Sequence, residues 1–129
     1  MHKARVLVVD DRSEFRQTLG ERLQARGYQT LGMGSGAEAL AAVQAQDFDA
    51  VVLDMVMPGM DGLETLRRLR QVRPALPVIV LTGYGTSEDV VQALALGAHD
   101  YLVKPVDLDI LQKRIDEATA PRPGSPTRS

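Results

Sequence analysis

Short apolar runs rich in β-branched residues recur along this chain, and each is followed directly by a polar residue. The runs cover residues 6–9, 51–53, 78–81 and 101–103. Uninterrupted apolar segments of this length are typical of strands that are buried on both faces of a parallel sheet. The polar residues that follow them are Asp10, Asp11, Asp54, Thr82 and Lys104. Because parallel strands share one carboxyl-end edge, where open α/β sheets bind ligands, the pattern predicts a single pocket.

Segments with helical periodicity separate the apolar runs, so that strands and helices alternate five times along the chain. The first helix is predicted over residues 13–26 and ends at Gly27, and a weaker second strand is predicted over residues 28–33. The helices are predicted from apolar residues at helical spacing: Phe15, Leu19 and Leu23; Leu40, Ala41 and Val43, which share one face; Leu63, Leu66 and Leu69; Val90, Val91 and Leu94; Leu108, Leu111 and Ile115. This alternation predicts an α/β domain with one doubly wound parallel sheet in the strand order 2-1-3-4-5.

Two segments carry the residue spacing of a capped helix start. Ser35 and Glu38 have the form of a capping box, in which each side chain accepts a hydrogen bond from a backbone N–H of the pair. Asp61 and Glu64 repeat this spacing before the third helix. We therefore expect the second and third helices to begin at these positions.

Composition excludes several classes of protein. The chain has 129 residues, a formal net charge of −2 and no cysteine. This length suits one domain, and the small net charge gives no reason to expect binding to nucleic acid or membranes. The lack of cysteine excludes disulfides, thiolate zinc sites and cysteine nucleophiles. No apolar stretch has the pattern of a secretory signal or the length of a membrane span, so we expect a cytoplasmic domain.

The composition changes near Thr119, beyond which proline, arginine, glycine and serine replace apolar residues. We predict a folded domain over residues 1–118 and a disordered tail, or the start of a linker, over residues 119–129. A tail this short does not fold into a DNA-binding or enzymatic domain. The chain is therefore expected to act through a downstream protein target or through an output domain missing from this sequence.

The polar residues at the strand ends favour phosphoryl chemistry. Carboxylates that lie within a few ångströms of one another repel, so the predicted pocket requires a cation. Ligation by oxygen alone favours Mg²⁺, which leaves positions open for phosphate oxygens. A carboxylate also acts as a nucleophile and gives an acyl phosphate, and Asp54, alone at its strand end, suits that role. The adjacent Asp10 and Asp11 suit the metal, while Lys104 and Thr82 suit phosphate oxygens.

Each of these residues also has a simpler interpretation. Asp10 or Asp11 is also suited to cap the first helix. Asp54 precedes a Pro-Gly turn and is typical of a turn residue. A lone lysine such as Lys104 is usually solvated. The functional interpretation is favoured because all the positions coincide with strand ends in the expected order.

At this point the chain resembles the receiver domains of two-component response regulators. The matching segments are residues 8–11 (VVDD), 53–62 (LDMVMPGMDG), 80–83 (VLTG) and 97–105 (GAHDYLVKP). The resemblance covers roughly residues 3–118 and implies the flavodoxin-like (βα)5 fold of chemotaxis receivers. It also implies a regulatory phosphoprotein rather than an enzyme.

The resemblance assigns roles to the pocket residues. Asp54 would be the phosphoacceptor. The phosphoryl group would come from a histidine kinase or a histidine phosphotransfer protein. Asp10 and Asp11 would bind Mg²⁺ together with Asp54 and the backbone carbonyl of Val56. Lys104 would contact the phosphoryl group.

The same resemblance implies a conformational switch. Thr82 would be the hydroxyl that moves toward the phosphoryl group, and Tyr101 the aromatic residue that rotates inward to fill the vacated space. The peptide bond between Lys104 and Pro105 would be cis. The surface of helix 4, strand 5 and helix 5 would then change its affinity for partners, which include a second copy of the chain in a phosphorylation-dependent homodimer. Spacing alone favours the interpretation of Tyr101 as a half-buried strand residue.

Two loop residues suggest a slow loss of the phosphoryl group. Val56 and Tyr84 lie two positions after Asp54 and Thr82, where family members control the access of water to the acyl phosphate. We expect an apolar residue and a bulky ring to hinder attacking water. Autodephosphorylation of Tyr84→Ala tests this expectation, which fails if the rate does not rise.

Three other classes of protein share parts of the pattern. A haloacid-dehalogenase-type phosphatase requires a second Asp two positions after Asp10, where this chain has Arg12. A flavodoxin-type FMN carrier would have to bind phosphate beside the acidic segment Asp10-Asp11. A receiver that serves only as a constitutive docking module would have less reason to retain the complete acidic set.

Overall fold

A single parallel sheet forms the centre of the molecule. The computed structural model describes residues 4–55, 62–83 and 88–120, except for the side chain at position 89. Within these residues the sheet has five strands in the order β2-β1-β3-β4-β5, which confirms the predicted topology. The strands are β1 (Arg5–Val9), β2 (Gln29–Met33), β3 (Ala50–Asp54), β4 (Val78–Thr82) and β5 (Asp100–Val103). The helices are α1 (Ser13–Ala25), α2 (Gly36–Ala45), α3 (Gly62–Val72), α4 (Glu88–Ala95) and α5 (Leu108–Thr119).

Position in the sheet explains the unequal apolar character of the strands. Every residue of β3 and β4 is buried, and so is every residue of β1 except Arg5. These three strands are central and are covered on both faces, which requires uninterrupted apolar sequence. The edge strands β2 and β5 contain no fully buried residue, in keeping with their weaker patterns. Each fully buried Val, Leu or Ile side chain contributes about 1.5–3 kcal/mol to folding, so the central strands dominate the core.

Two separate clusters of apolar side chains cover the two faces of the sheet. One face packs against α1 and α5 through Leu19, Leu23, Leu111 and Ile115. The other face packs against α2, α3 and α4, with these buried helix residues: Ala39, Ala42, Val43, Leu66, Leu69 and Ala93. The domain is therefore doubly wound, as the alternation of strands and helices predicts.

The predicted helix ends agree with the structure to within a residue or two. Gly27 and Gly97 follow α1 and α4 with φ angles of 99° and 101°, a conformation that favours glycine. The Ser35 hydroxyl caps α2 by accepting a hydrogen bond from the Glu38 N–H. The Glu38 carboxylate accepts from the N–H of Gly34, so the box closes one residue earlier than expected. The α5 helix includes Thr119, one residue past the predicted domain boundary.

Some of the apolar residues that mark α2 and α4 in the sequence are exposed. Ala41 is exposed on α2, where Ala39 and Ala42 are buried instead. Alanine is compatible with either face of a helix, so an alanine-rich segment does not specify which side turns inward. On α4, Val91 and Leu94 are 64% and 44% exposed.

The capping arrangement predicted for the third helix involves Asp61 and Glu64. Asp61 lies outside the described residues. The Glu64 carboxylate accepts hydrogen bonds from Arg67 and Arg68 on the next turn of α3. These charge-assisted bonds lower the pKa of Glu64 to about 2. No helix in the described part of the chain has both the length and the apolar character needed to cross a membrane.

Candidate functional site

Strand register brings the polar strand-end residues to one edge of the sheet. Val9 pairs with Leu53 across β1 and β3, so Asp10 stands level with Asp54. Asp54 pairs in turn with Leu81, which places Thr82 one residue further along β4. The main chain thus aligns the three polar residues at adjacent strand ends, as the sequence predicts.

Strand β5 adds the basic residue to this edge. Thr82 pairs with Val103, and the N–H of Lys104 donates a hydrogen bond of 2.8 Å to the Thr82 carbonyl oxygen. The bond between Lys104 and Pro105 is cis, as the resemblance implies. Lys104 follows the end of β5 directly, and its side chain points back toward β3.

Three carboxylates form the acidic part of the site. Asp10, Asp11 and Asp54 each offer an oxygen, and these oxygens lie within 4.8 Å of one another. Asp10 and Asp54 are buried, with 1% and 2% of their surface exposed, whereas Asp11 is exposed. A cluster of hard, anionic oxygen donors with one open side fits Mg²⁺, which binds few protein ligands and retains water.

Lys104 neutralises one side of Asp54. Its Nζ donates a hydrogen bond of 3.0 Å to Oδ1 of Asp54, and its side chain is only 23% exposed. A charge-assisted bond in a largely buried setting is about twice as strong as a neutral one. This contact helps to orient the Asp54 carboxylate.

Arg12 is a site residue that the sequence did not predict. Its Nε lies 3.3 Å from Oδ1 of Asp10, and its terminal nitrogen NH2 lies 3.2 Å from Oδ2. The same NH2 lies 3.9 Å from Oδ2 of Asp54. The hydrogen bond with Asp10 raises the pKa of Arg12, and the charge of Asp54 adds to that effect. The only signal in the sequence is an arginine directly after two aspartates at the start of a helix.

Phe15 lies between the two cations of the site. The Arg12 guanidinium carbon is 4.8 Å from the centre of the Phe15 ring, and Nζ of Lys104 is 5.3 Å from it. Both distances fall within the range of cation–π contacts. The helical pattern assigned Phe15 to the core, and it does pack against the core cluster beneath α1, but it is only partly buried.

Neither aspartate caps α1, because the N-cap residue is Arg12 and its side chain makes no cap hydrogen bond. Oδ1 of Asp10 instead accepts a hydrogen bond of 2.8 Å from the N–H of Arg12. The Asp10 carbonyl oxygen accepts a further bond of 2.7 Å from Arg16. Asp10 is therefore held by its own local turn as well as by the site.

The sequence also assigned Tyr101, Val56 and Tyr84 to the site. Tyr101 is partly buried on β5 and packs against the core cluster of the α2–α3–α4 face. Val56 and Tyr84 lie outside the described residues. The N–H of Gly62, at the start of α3, donates a hydrogen bond of 3.2 Å to the Met55 carbonyl oxygen.

One surface of the molecule carries exposed apolar side chains. Among the described residues, the large hydrophobic side chains that are exposed are Val91, Leu94, Val103 and Ile110. All four belong to α4, β5 or α5. These are the elements on which the resemblance places the switching surface.

Known proteins similar to this chain identify its family. Residues 6–116 match the family model described as the response regulator receiver domain. The transcriptional regulatory protein ZraR of Escherichia coli is 42% identical over 115 residues, which make up 89% of this chain and 26% of ZraR. TcrA of Mycobacterium tuberculosis, also named a transcriptional regulatory protein, is 41% identical over 95% of this chain and 49% of its own length. The chain thus spans between about a quarter and a half of these two curated relatives.

Solved structures agree with this assignment. The chemotaxis protein CheY4 of Vibrio cholerae superposes with a TM-score of 0.84 at 34% identity, covering 89% of this chain and 98% of that one. The receiver domain of NtrX from Brucella abortus gives a TM-score of 0.83 at 33% identity, covering 88% and 97%. The alternatives of a phosphatase and an FMN carrier are therefore wrong. The chain belongs to the response regulator receiver domain family.

Proposed function

We propose that Asp54 accepts a phosphoryl group in a Mg²⁺-dependent reaction. The observation that carries this proposal is the position of Asp54. Its carboxylate is buried at the end of a central strand, 3.0 Å from the Lys104 ammonium and within reach of two further carboxylates. Membership of the receiver family adds support, since a phosphoryl-accepting aspartate and a magnesium site are typical of that family.

The reaction is a transfer between a histidine nitrogen and a carboxylate oxygen. An Asp54 oxygen attacks phosphorus while the bond from phosphorus to the donor nitrogen breaks, and an acyl phosphate results. Bound Mg²⁺, held by Asp10, Asp11 and Asp54, would neutralise charge on the phosphoryl oxygens. Lys104 holds the nucleophile in place and provides a positive charge beside the incoming group. The donor would be a histidine kinase or a histidine phosphotransfer protein.

The phosphoryl group would act as a switch through β4 and β5. It adds negative charge and acceptor oxygens beside Thr82 and Lys104, which are joined through a main-chain hydrogen bond. A shift of Thr82 toward these oxygens would free space for Tyr101. The change would alter the surface formed by α4, β5 and α5, whose exposed apolar side chains suit a protein partner.

Under this proposal, the surface of α4, β5 and α5 contacts a domain or protein whose activity the receiver regulates. Relatives such as ZraR and TcrA are named transcriptional regulatory proteins and are longer than this chain. We propose that phosphorylation controls either an output domain of that kind or a separate protein target. The domain would act in the cytoplasm as a regulator rather than as an enzyme, without itself contacting nucleic acid or a membrane.

Uptake of phosphate from acetyl phosphate tests the proposal. Wild type, Asp54→Asn and the control Asp47→Asn are incubated with and without Mg²⁺, and the gain of a phosphoryl group is read from intact mass. Asp47 is an exposed residue between α2 and β3, at the opposite end of the sheet. Wild type and Asp47→Asn should gain one group only with Mg²⁺, and Asp54→Asn none. Uptake without Mg²⁺ contradicts the metal requirement, and uptake by Asp54→Asn contradicts the assignment of the acceptor.

A further inference from the structure

We propose that Arg12 competes with the divalent cation for the Asp10 carboxylate and so keeps the Mg²⁺ affinity of this receiver low. The inference rests on the metal site of the proposed function. It adds a residue that determines how much Mg²⁺ the reaction requires. Three observations carry it: the contacts of Arg12, the charge balance of the site and the exposure of the arginine side chain.

The contacts of Arg12 occupy the carboxylate that a cation would bind. Oδ1 of Asp10 accepts from both the backbone N–H and Nε of Arg12, at 2.8 and 3.3 Å. Oδ2 accepts from NH2 at 3.2 Å. Both oxygens of Asp10 are therefore engaged, and a metal ion that binds either one must share it with a guanidinium group.

The charge balance places Arg12 in opposition to a metal ion. Arg12 and Lys104 lie beside different oxygens of Asp54, at 3.9 and 3.0 Å. Three carboxylates and two cations leave the cluster with a single net negative charge. A guanidinium at these distances weakens the negative field that draws Mg²⁺ into the site, and it repels a metal ion that enters.

The Arg12 side chain is able to leave the site at little cost. It is 53% exposed, whereas Asp10 is almost fully buried, so rotation of the arginine moves its charge into water. The backbone N–H of Arg12 still bonds Asp10 after such a rotation, which keeps the carboxylate in position. Stacking over Phe15 at 4.8 Å opposes the movement and favours the inward position. The arginine therefore competes with the metal without being required for the fold.

Binding of Mn²⁺ measures this competition directly. Mn²⁺ is a hard divalent probe, and loss of the electron spin resonance signal of free Mn²⁺ reports the bound fraction without any phosphoryl transfer. Wild type, Arg12→Gln, Arg12→Lys and the control Arg22→Gln are titrated with Mn²⁺. Arg22 is an exposed arginine in the last turn of the same helix, so its removal makes the same change in net charge.

We expect Arg12→Gln to bind Mn²⁺ about tenfold more tightly than wild type, which is the effect of one neighbouring charge on a carboxylate site. Arg12→Lys keeps the positive charge but loses the paired contacts of the guanidinium with Asp10. Its affinity for Mn²⁺ should therefore lie between those of wild type and Arg12→Gln. Arg22→Gln should match wild type. Far-UV circular dichroism in the presence of a chelator verifies that each variant is folded.

The inference is overturned if neither Arg12 variant binds more than about twofold more tightly than wild type, or if Arg22→Gln tightens as much as Arg12→Gln. Equal binding by all four proteins rejects the role of Arg12 and leaves the proposed function intact. If none of the four binds Mn²⁺, both the inference and the metal site of the proposed function are wrong.

Discussion

At the scale of single residues, the contact between Lys104 and Asp54 leads to a prediction about stability. Replacing Lys104 by Gln removes a positive charge beside Asp54, which lies close to two other carboxylates. We expect the free energy of unfolding, measured with urea in the presence of a chelator, to fall by about 1–2 kcal/mol. Lys113→Gln on the exposed side of α5 serves as the control and should have no measurable effect. If Lys104→Gln is as stable as wild type, the hydrogen bond contributes nothing to stability.

The site combines residues that a sequence pattern finds with residues that it misses. Asp10, Asp54 and Thr82 were predictable because buried parallel strands fix where their last residues lie. Arg12 and Phe15 were not, because the direction of a long side chain at a helix start depends on tertiary contacts, such as the approach of Arg12 to Asp54.

Tyr28 gives a prediction about pH. Its hydroxyl lies 2.5 Å from Oδ1 of Asp116 and connects the segment after α1 to α5. Burial, followed by this hydrogen bond, raises the pKa of Tyr28 above its usual range. Since an unfolded tyrosine ionises near about pH 10, the contribution of Tyr28 to stability is complete below that pH and declines as the pH rises further.

The variant Tyr28→Phe isolates this contribution. It should be less stable than wild type by about 1 kcal/mol at neutral pH because a buried hydrogen bond is lost. The difference between the two proteins should shrink above about pH 10 in urea unfolding experiments. A difference that stays constant from neutral pH to about pH 11 would contradict the assigned role of the hydroxyl.

At the scale of elements, strands were more predictable than helix faces. Uninterrupted apolar runs identified β1, β3 and β4 because central strands of a parallel sheet are buried on both sides. The helical spacing of apolar residues did not show which of them are buried, since Ala41, Val91 and Leu94 are exposed. Alanine is small enough for either environment, and exposed apolar residues on α4 follow the same spacing as buried ones.

The start of α3 lies close to Met55, and this contact gives a prediction about stability. A Cβ atom at Gly62 would lie 2.5 Å from both Cα and the carbonyl oxygen of Met55, which are main-chain atoms that cannot rotate away. We expect Gly62→Ala to lower the free energy of unfolding by about 1–3 kcal/mol. Helix propensity alone would give the opposite sign, because alanine is favoured over glycine by about 1 kcal/mol inside a helix.

Gly83 provides the matched control for this substitution. A Cβ atom there meets no other atom within 4 Å. Gly83→Ala should therefore leave the urea midpoint close to that of wild type. If Gly62→Ala is as stable as wild type or more stable, the close contact between Gly62 and Met55 does not limit the residue at position 62.

At the scale of the whole molecule, the exposed apolar side chains of α4, β5 and α5 point to association. We predict that a phosphoryl mimic such as beryllium trifluoride with Mg²⁺ shifts the protein toward a dimer through this surface. Light scattering should show a higher mean mass with the mimic than without it. Val91→Asp should abolish that shift, because Val91 is 64% exposed and a charge there opposes burial.

Ala41, which is exposed on α2 in the same helix layer as α4, allows a matched control. Ala41→Asp introduces the same charge away from the predicted surface and should dimerise like wild type. An unchanged mass with the mimic would contradict the prediction of a dimer. If Val91→Asp and Ala41→Asp both fail to gain mass with the mimic, the effect comes from net charge rather than from the surface of α4, β5 and α5.

The position of the phosphoryl group tests the central claim most directly. After incubation with acetyl phosphate and Mg²⁺, borohydride reduces an aspartyl phosphate to homoserine, and proteolysis with mass spectrometry locates the modified residue. The account predicts homoserine at position 54 in wild type and at no other aspartate. Reduction at Asp10 or Asp11, or no reduced residue in a protein that has taken up phosphate, would contradict it.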